Sequence, residues 1–277
     1  MAKSTHYVAK TPDSNGVIHY SQEEQDIWRD LYQRQLPSTQ KYAAQACLNG
    51  MEMLSLPDNR IPQCDEISQV LMPLTGWRVE PVPALIGFGR FFKMLSEKTF
   101  PAASFIRSRA DFDYIEEPDI FHEIFGHTPL LTDPGFAFFS QTIGELGLQV
   151  QPADYSWLIR LYWFTIEFGL SREQGQYRAL GSGLNSSPTE LVYAVQSSAP
   201  ERREFNVIDI LRTPYRIDIH QPIYYVIEDI NDLFKAVDRN LLADIKQAQS
   251  LGLFEPAYDC QFCLLYTSDA ADEEDSV

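Results

Sequence analysis

The chain has 277 residues, 44% of them hydrophobic and 22% charged, which suits one globular unit with a buried core and excludes low-complexity and collagen-like chains. Lys and Arg number 22 against 39 Asp and Glu, and a net charge of −17 repels phosphate backbones, so no nucleic-acid partner is expected. No apolar run is long enough to span a membrane and the first residues lead into no apolar stretch, so neither a membrane association nor a secretory signal is expected.

Residues 1–20 lack periodicity, hold Pro12, Asn15 and Gly16, and are read as an extended arm. Ser21 with Glu24 predicts a capping box, after which Ile27, Trp28, Leu31 and Leu36 recur at helical spacing. A second helix is predicted over 38–54, a turn at Pro57-Asp58, and a third helix opened by Pro62. Residues 77–82 read as a short strand, 88–95 as a short helix and 100–107 as an extended piece. The middle is helix-rich, with helices predicted over 118–130, 134–148 and 154–170. Residues 175–183 form a glycine-punctuated loop or hairpin arm, and a helix over 188–195 starts from Ser186 or Ser187. Tyr215, Ile217 and Ile219 alternate with polar residues, a strand signal. A last amphipathic helix is predicted over 229–251, ended by Gly252. The fold class is therefore mainly α with minor β, a single domain over residues 21–262.

Cys47, Cys64, Cys260 and Cys263 are too few and too scattered for a disulfide framework, so a reducing, cytoplasmic setting is expected. Residues 263–277 carry five acids and no base and resemble a translated sequencing-library adapter. They are read as a non-native or disordered acidic tail and left out of the fold.

Two of only five histidines, His122 and His127, lie in the run P-D-I-F-H-E-I-F-G-H. The zinc-protease pattern H-E-x-x-H does not fit, because its histidines are four apart. Five positions put them about 140° apart on an ideal α-helix, which is poor geometry for one ion. Gly126 before His127 relaxes the backbone there. Alone, such a pair is more often two unrelated histidines. Glu167 changes the weighing, since it lies in the apolar run Y-W-F-T-I-E-F-G-L with Arg160 and Arg172 as the nearest cations in sequence. A buried carboxylate needs a counter-charge: an arginine from elsewhere, or a metal ion. Two histidines and one carboxylate are the ligand set of non-haem Fe(II) oxygenases.

The motifs P-D-I-x-H-E-x-x-G-H-x-P-L, Y-W-F-T-I-E-F-G-L and G-x-G-L-x-S-S, in this order, resemble the pterin-dependent aromatic amino acid hydroxylases, and most closely their short bacterial members that act on phenylalanine. The resemblance runs from about Trp28 into the helix predicted over 229–251. It implies a compact helical catalytic domain and two cofactors, Fe(2+) and a tetrahydropterin. It implies His122, His127 and Glu167 as iron ligands, and Glu123 and Tyr162 as catalytic residues beside iron and pterin. Leu85, Ile86 and Phe91 would contact the pterin together with those two, although Ala84 and Phe88 depart from the small or polar residues of that loop. Arg107 would clamp the substrate carboxylate, with Asp119 holding that arginine or an imidazole ligand. Tyr114, Pro118, Trp163, Phe168 and Gly183 would line the pocket for the substrate ring, and Ser186 would bond an imidazole ligand. A guanidinium forks onto a carboxylate, and a flat apolar side chain calls for aromatic walls, so the chemistry agrees. Otherwise Arg107 would pair with Asp111 or Asp113, Ser186 would cap a helix, and the aromatic residues would be ordinary core.

Trp163, and the apolar Ile217 where tyrosine-hydroxylating members tend to carry an acid, favour phenylalanine over tryptophan and tyrosine as substrate. Asp218, adjacent to Ile217, makes the alignment sensitive to a shift of one residue. The other readings are a zinc hydrolase and a non-catalytic binding protein of the same fold. The regulatory domain and assembly helix of eukaryotic relatives have no counterpart in the chain, so a monomer is expected.

Overall fold

The structure is a computed structural model that describes residues 7–83, 86–230 and 232–258. The expectations for Leu85, for Cys260 and Cys263, and for the acidic tail lie outside the described residues.

Residues 7–20 form no helix or strand and cross the surface before α1 (Gln22–Tyr42). The capping box is formed: the Ser21 hydroxyl accepts from the Glu24 N–H at 3.3 Å, and the Glu24 carboxylate accepts from the Ser21 N–H at 2.6 Å. The helix continues through Pro37, and the predicted second helix opens at Gln45 rather than at 38. Extended Ala43 and Ala44 separate α1 from α2 (Gln45–Leu54), because the Ala44 N–H donates to the Ala179 carbonyl at 2.9 Å. That long-range bond, and not the proline, ends the helix.

Next come α3 (Cys64–Thr75), β1 (Arg78–Val82), α4 (Phe88–Ser96) and β2 (Thr99–Ala103). The third helix starts two positions after Pro62, with Gln63 as its N-cap. Strands β1 and β2 are parallel, Arg78 opposite Thr99 and Val82 opposite Ala103, with α4 as the crossover. This unit carries the chain into the segment that bears Arg107.

A π-helix (His122–His127) and a 3-10 turn (Leu130–Thr132) precede α5 (Pro134–Gly147), which Asp133 caps through the N–H groups of Gly135 and Phe136. After a 3-10 turn (Pro152–Asp154), α6 (Tyr155–Tyr162) passes without a break into a second π-helix (Trp163–Glu167). The hairpin β3 (Leu170–Glu173) and β4 (Gln176–Ala179) follows, then α7 (Ser182–Ser186), α8 (Glu190–Gln196), β5 (Glu201–Glu204), α9 (Val207–Arg212) and β6 (Ile223–Ile227). The last helix is broken into α10 (Asp232–Val237) and α11 (Leu241–Leu251), where Asn240 caps α11 by accepting from the Ala243 N–H. The four-stranded sheet has the order β4-β3-β6-β5, with β3–β4 antiparallel and the other two pairs parallel.

The strand expected around Tyr215, Ile217 and Ile219 is not formed, and the strand of this region is β6. Both faces of β6 are buried, so I-Y-Y-V-I reads as a continuous apolar run and gives no alternation. The polar run of β5 gives no apolar signal at all. The mainly helical class with small sheets holds. One large apolar cluster extends from Trp28 and Trp77 through Phe121, Phe125, Phe139 and Phe164 to Ala248, and a smaller one lies on the four-stranded sheet around Leu191 and Tyr224. Among the described residues no helix is long and apolar enough to cross a membrane.

Candidate active site

The five-residue spacing that an α-helix handles badly is resolved by a change of helix type. In a π-helix the hydrogen bonds run between residues five apart, so such residues come round to the same side. His122 and His127 stand at the two ends of one π-helix, and their Nε2 atoms are 3.0 Å apart. Glu167 ends the second π-helix, where the Phe168 N–H donates to the Trp163 carbonyl at 2.8 Å, a five-residue bond. Gly126 lets α7 press against the first π-helix: a Cβ there would stand 2.8 Å from the Ser182 carbonyl oxygen.

The two imidazoles and the carboxylate face one another. His127 Nε2 is 3.1 Å from Glu167 Oε1, and His122 Nε2 is 3.7 Å from Oε2. Donors about 2.1 Å from a shared ion and at right angles to one another stand about 3 Å apart, so the three fit one divalent ion. Burial pushes the Glu167 carboxyl up, but the imidazoles of His127 and His122 and the Gly183 N–H outweigh it and hold the group below its ordinary value. Burial, together with His127 and Arg107, lowers His122 to about 4 against the pull of Glu167 and Asp119, so its imidazole is neutral near pH 7, as a metal ligand must be.

Ser186 holds the His122 ring in place. Its hydroxyl lies 3.0 Å from the Ser182 carbonyl and 2.8 Å from His122 Nδ1. Donating to the carbonyl and accepting from Nδ1 would leave the Nε2 lone pair for an ion shared with His127 and Glu167. Capping of the next helix falls instead to Ser187, which accepts from the Glu190 N–H at 3.2 Å.

Glu123, beside the imidazoles, is a different kind of acid. It, His122 and His127 offer donor atoms that all lie within 4.8 Å of one another. Glu167 is the acid that faces both imidazoles directly, at 3.1 and 3.7 Å, and so is the carboxylate that best fits an ion shared with them. Burial, then the charges of Glu167 and Asp119, raise Glu123 well above its ordinary value.

Arg107 is buried and paired with fully buried Asp119: Nε donates to Oδ2 at 2.7 Å, Nη2 to Oδ1 at 2.9 Å, and the backbone N–H to Oδ2 at 3.0 Å. The same carboxylate accepts the His122 backbone N–H at 3.0 Å, so one acid ties the arginine segment to the first π-helix. Asp111 and Asp113 are not its partners: Asp113 pairs with Arg34.

On the other side Tyr162, at the end of α6, meets Phe91 edge to face with centroids 5.3 Å apart. Burial, Glu167 and Glu123 raise the Tyr162 phenol, which remains an O–H donor. Trp163 lies between Phe168 at 4.4 Å and Tyr215 at 4.3 Å. Gly183 faces the end of the Phe168 ring, where a Cβ would come within 3.0 Å of Cζ. Ile86 and Pro118 are half-buried. Tyr114 stands apart at the rim, 58% exposed, its hydroxyl donating to the Ile217 carbonyl at 3.4 Å. Three residues carried no sequence signal for this site: Tyr215, stacked on Trp163; Gln221, bonded to its indole; and Glu190, a buried acid beneath Gln221. The alternation that suggested a strand at Tyr215 hid its role as a ring partner.

The comparisons agree with this geometry. The family described as biopterin-dependent aromatic amino acid hydroxylase matches residues 3–261. The chain is 48% identical over 254 residues to a phenylalanine-4-hydroxylase of Vibrio cholerae, covering 92% of this chain and 88% of that one. It is 49% identical over 256 residues to a phenylalanine-4-hydroxylase of Pseudomonas aeruginosa, covering 92% and 97%. It superposes with a TM-score of 0.88 on the apo structure of a cold-active phenylalanine hydroxylase of Colwellia psychrerythraea, at 49% identity over 90% of this chain and 97% of that one. With three donors meeting at one point between two π-helices, and a family match along nearly its whole length, the chain belongs to the biopterin-dependent aromatic amino acid hydroxylases.

Proposed function

We propose that the chain hydroxylates L-phenylalanine at the para carbon to L-tyrosine, consuming O2 and a tetrahydropterin at a mononuclear non-haem Fe(II) centre. The observation that carries this reading is the convergence of His122, His127 and Glu167 within 3.0 to 3.7 Å, with imidazoles and no arginine or lysine paired to the carboxylate among the described residues. Two neutral nitrogens and one carboxylate leave coordination positions for O2 and water, which suits iron oxygenase chemistry. The relatives' names support phenylalanine as the substrate.

When bound, tetrahydropterin would supply two electrons and Fe(II) would activate O2, so that one oxygen atom enters the product ring and the other is reduced to the level of water. The side chains provide position, dryness and protons. Arg107 uses Nε and Nη2 on Asp119, leaving Nη1 to meet the substrate carboxylate. Trp163, Phe168, Gly183 and Pro118 flank the phenyl ring, with Tyr114 at the mouth. Phe91 and Ile86 would hold the pterin ring, with Tyr162 and Glu123 toward the metal. Glu123, its carboxyl raised by burial and by the charges of Glu167 and Asp119, would hold a proton beside the metal site. The apolar Ile217, with the adjacent Asp218 paired to Arg216 at 2.6 Å, supports phenylalanine over tyrosine. Tryptophan and tyrosine are the substrates to compare against.

The buried free thiols of Cys47 and Cys64 suit the cytoplasm. Metal analysis with pterin-dependent O2 uptake and tyrosine formation tests the reading. His122→Ala should lose bound iron and tyrosine formation together, each to below about a hundredth of wild type. Full activity in that variant rejects the ligand set, and zinc with peptidase activity would replace the whole reading.

A further inference from the structure

Gln221 stands just before β6 and is 1% exposed. Its amide nitrogen donates to the carbonyls of Arg216 at 2.6 Å and Ile219 at 3.2 Å. Those two bonds decide which way the amide points, because the reverse setting would press its oxygen against two carbonyl oxygens. The amide oxygen therefore faces Trp163, whose indole N–H donates to it at 3.2 Å. From below, the Gln221 backbone N–H donates to Glu190 Oε1 at 2.8 Å, an oxygen that also accepts the Tyr224 hydroxyl at 2.8 Å. The side chain is fully engaged, and so is its anchor.

The indole of Trp163 stacks on Tyr215 at an interplanar angle of 18° and lies against Phe168 at 32°. Stacking sets the plane of a ring and resists sliding or turning within that plane only weakly. A hydrogen bond at the ring edge removes that remaining freedom. The same amide closes the loop that carries Ile217, whose carbonyl receives the Tyr114 hydroxyl. One buried side chain thus joins Trp163, the loop bearing Tyr215 and Ile217, and the rim residue Tyr114.

We propose that Gln221 is a positioning residue for substrate selection: its amide locks the in-plane setting of the Trp163 indole and the loop at Ile217, and so sets the width of the pocket that accepts a phenyl side chain and refuses an indole. The inference rests on the phenylalanine-hydroxylating reading above. The test is a double-mutant cycle on the iron-loaded enzyme with saturating tetrahydropterin, using Gln221→Met, Trp163→Phe and the pair. Gln221→Met should raise KM for phenylalanine about five- to tenfold, the scale of one lost hydrogen bond, with kcat changed less than about threefold. The preference for phenylalanine over tryptophan should narrow by a similar factor. In the Trp163→Phe background the same change should add less than about twofold, since the indole donor is gone. Gln221→Glu in its neutral form keeps an acceptor for the indole and a donor for Arg216, and should restore KM to within about twofold.

A folded Gln221→Met enzyme with wild-type KM and substrate ratio overturns the inference, and so does an equal effect in both backgrounds, which would mark a merely structural residue. If Gln221→Met does not fold, the cycle is read with Gln221→Leu, which also removes the amide: a smaller effect on KM in the Trp163→Phe background than in the wild-type background supports the inference, and an equal one overturns it. Wild-type enzyme that fails to hydroxylate phenylalanine defeats the underlying reading, and this inference with it. An active wild type with an additive cycle defeats this inference alone.

Discussion

Single side chains in this site serve two masters, and substitutions must be read accordingly. Arg107 is both the proposed clamp for the substrate carboxylate and the cation paired with buried Asp119. Arg107→Ala should therefore raise KM for phenylalanine and also cost about 3–5 kcal/mol of stability, because it strands a buried charge. Arg107→Lys keeps the charge but not the fork, so KM should rise about tenfold or more with most of the stability retained. Denaturant melts beside steady-state kinetics separate the two effects. Glu190 offers a pH test remote from the metal. Burial raises its carboxyl to about 7, against the opposing bonds from Gln221 and Tyr224, while an unfolded chain would restore the ordinary value of 4.5. Between those values the folded state binds the extra proton, so this group's contribution to stability is full below the lower value and is lost as pH rises toward 7. The loss is about 3 kcal/mol. Glu190→Gln keeps the acceptor oxygen, so its stability should fall less than that of wild type between pH 5 and pH 8, measured by urea unfolding at both. Equal falls would exclude a protonated Glu190.

At the scale of elements, the two π-helices are what turn a poor ligand spacing into a good one. The first presents His122 and His127 on one side; the second swings Glu167 to meet them. α7 braces both, through Ser186 to His122, through the Gly183 N–H to Glu167, and through the close passage of Ser182 over Gly126. Gly126→Ala should push α7 off the first π-helix, weakening iron binding about tenfold or more while overall helicity is unchanged, as measured by metal titration and far-ultraviolet circular dichroism. Unchanged iron affinity would show that the contact does not hold the ligands in place. The N-terminal arm braces the opposite side. Tyr7 stacks on Phe105 at 4.7 Å, its hydroxyl receives the Ser108 N–H at 3.1 Å and bonds Asp111, and the Ser104 hydroxyl donates to the Lys10 carbonyl at 2.7 Å. The segment that carries Arg107 is thus held by residues about a hundred positions away in the chain.

For the whole molecule, the proposed ion would join parts that are distant in sequence, so its binding would belong to the folded state alone. Fe(II) at about a hundredfold over its Kd should add about 2.7 kcal/mol of stability. A chelator should lower Tm by several degrees, and calorimetry with and without it checks this. An identical Tm would mean that the ion does not bridge the two π-helices. Composition, charge and periodicity pointed by themselves to a mainly helical chain and to where most helices begin, because local spacing is written in order along the chain. An acid in an apolar run asked for a counter-charge without naming it, and the family resemblance, not the spacing, singled out His122, His127 and Glu167 as proposed ligands. What only the tertiary structure decided depends on partners far away. Ala44 leaves its helix for the Ala179 carbonyl. Tyr215 stacks on a tryptophan where its alternation had suggested a strand. Residues His122 and His127 adopt a π-helix where an α-helix was the default. Gln221 and Glu190 acquire their roles from groups that no short window of sequence contains. In each case one long-range hydrogen bond or packed ring outweighs a local preference worth a fraction of a kcal/mol, about 0.5 or less per residue.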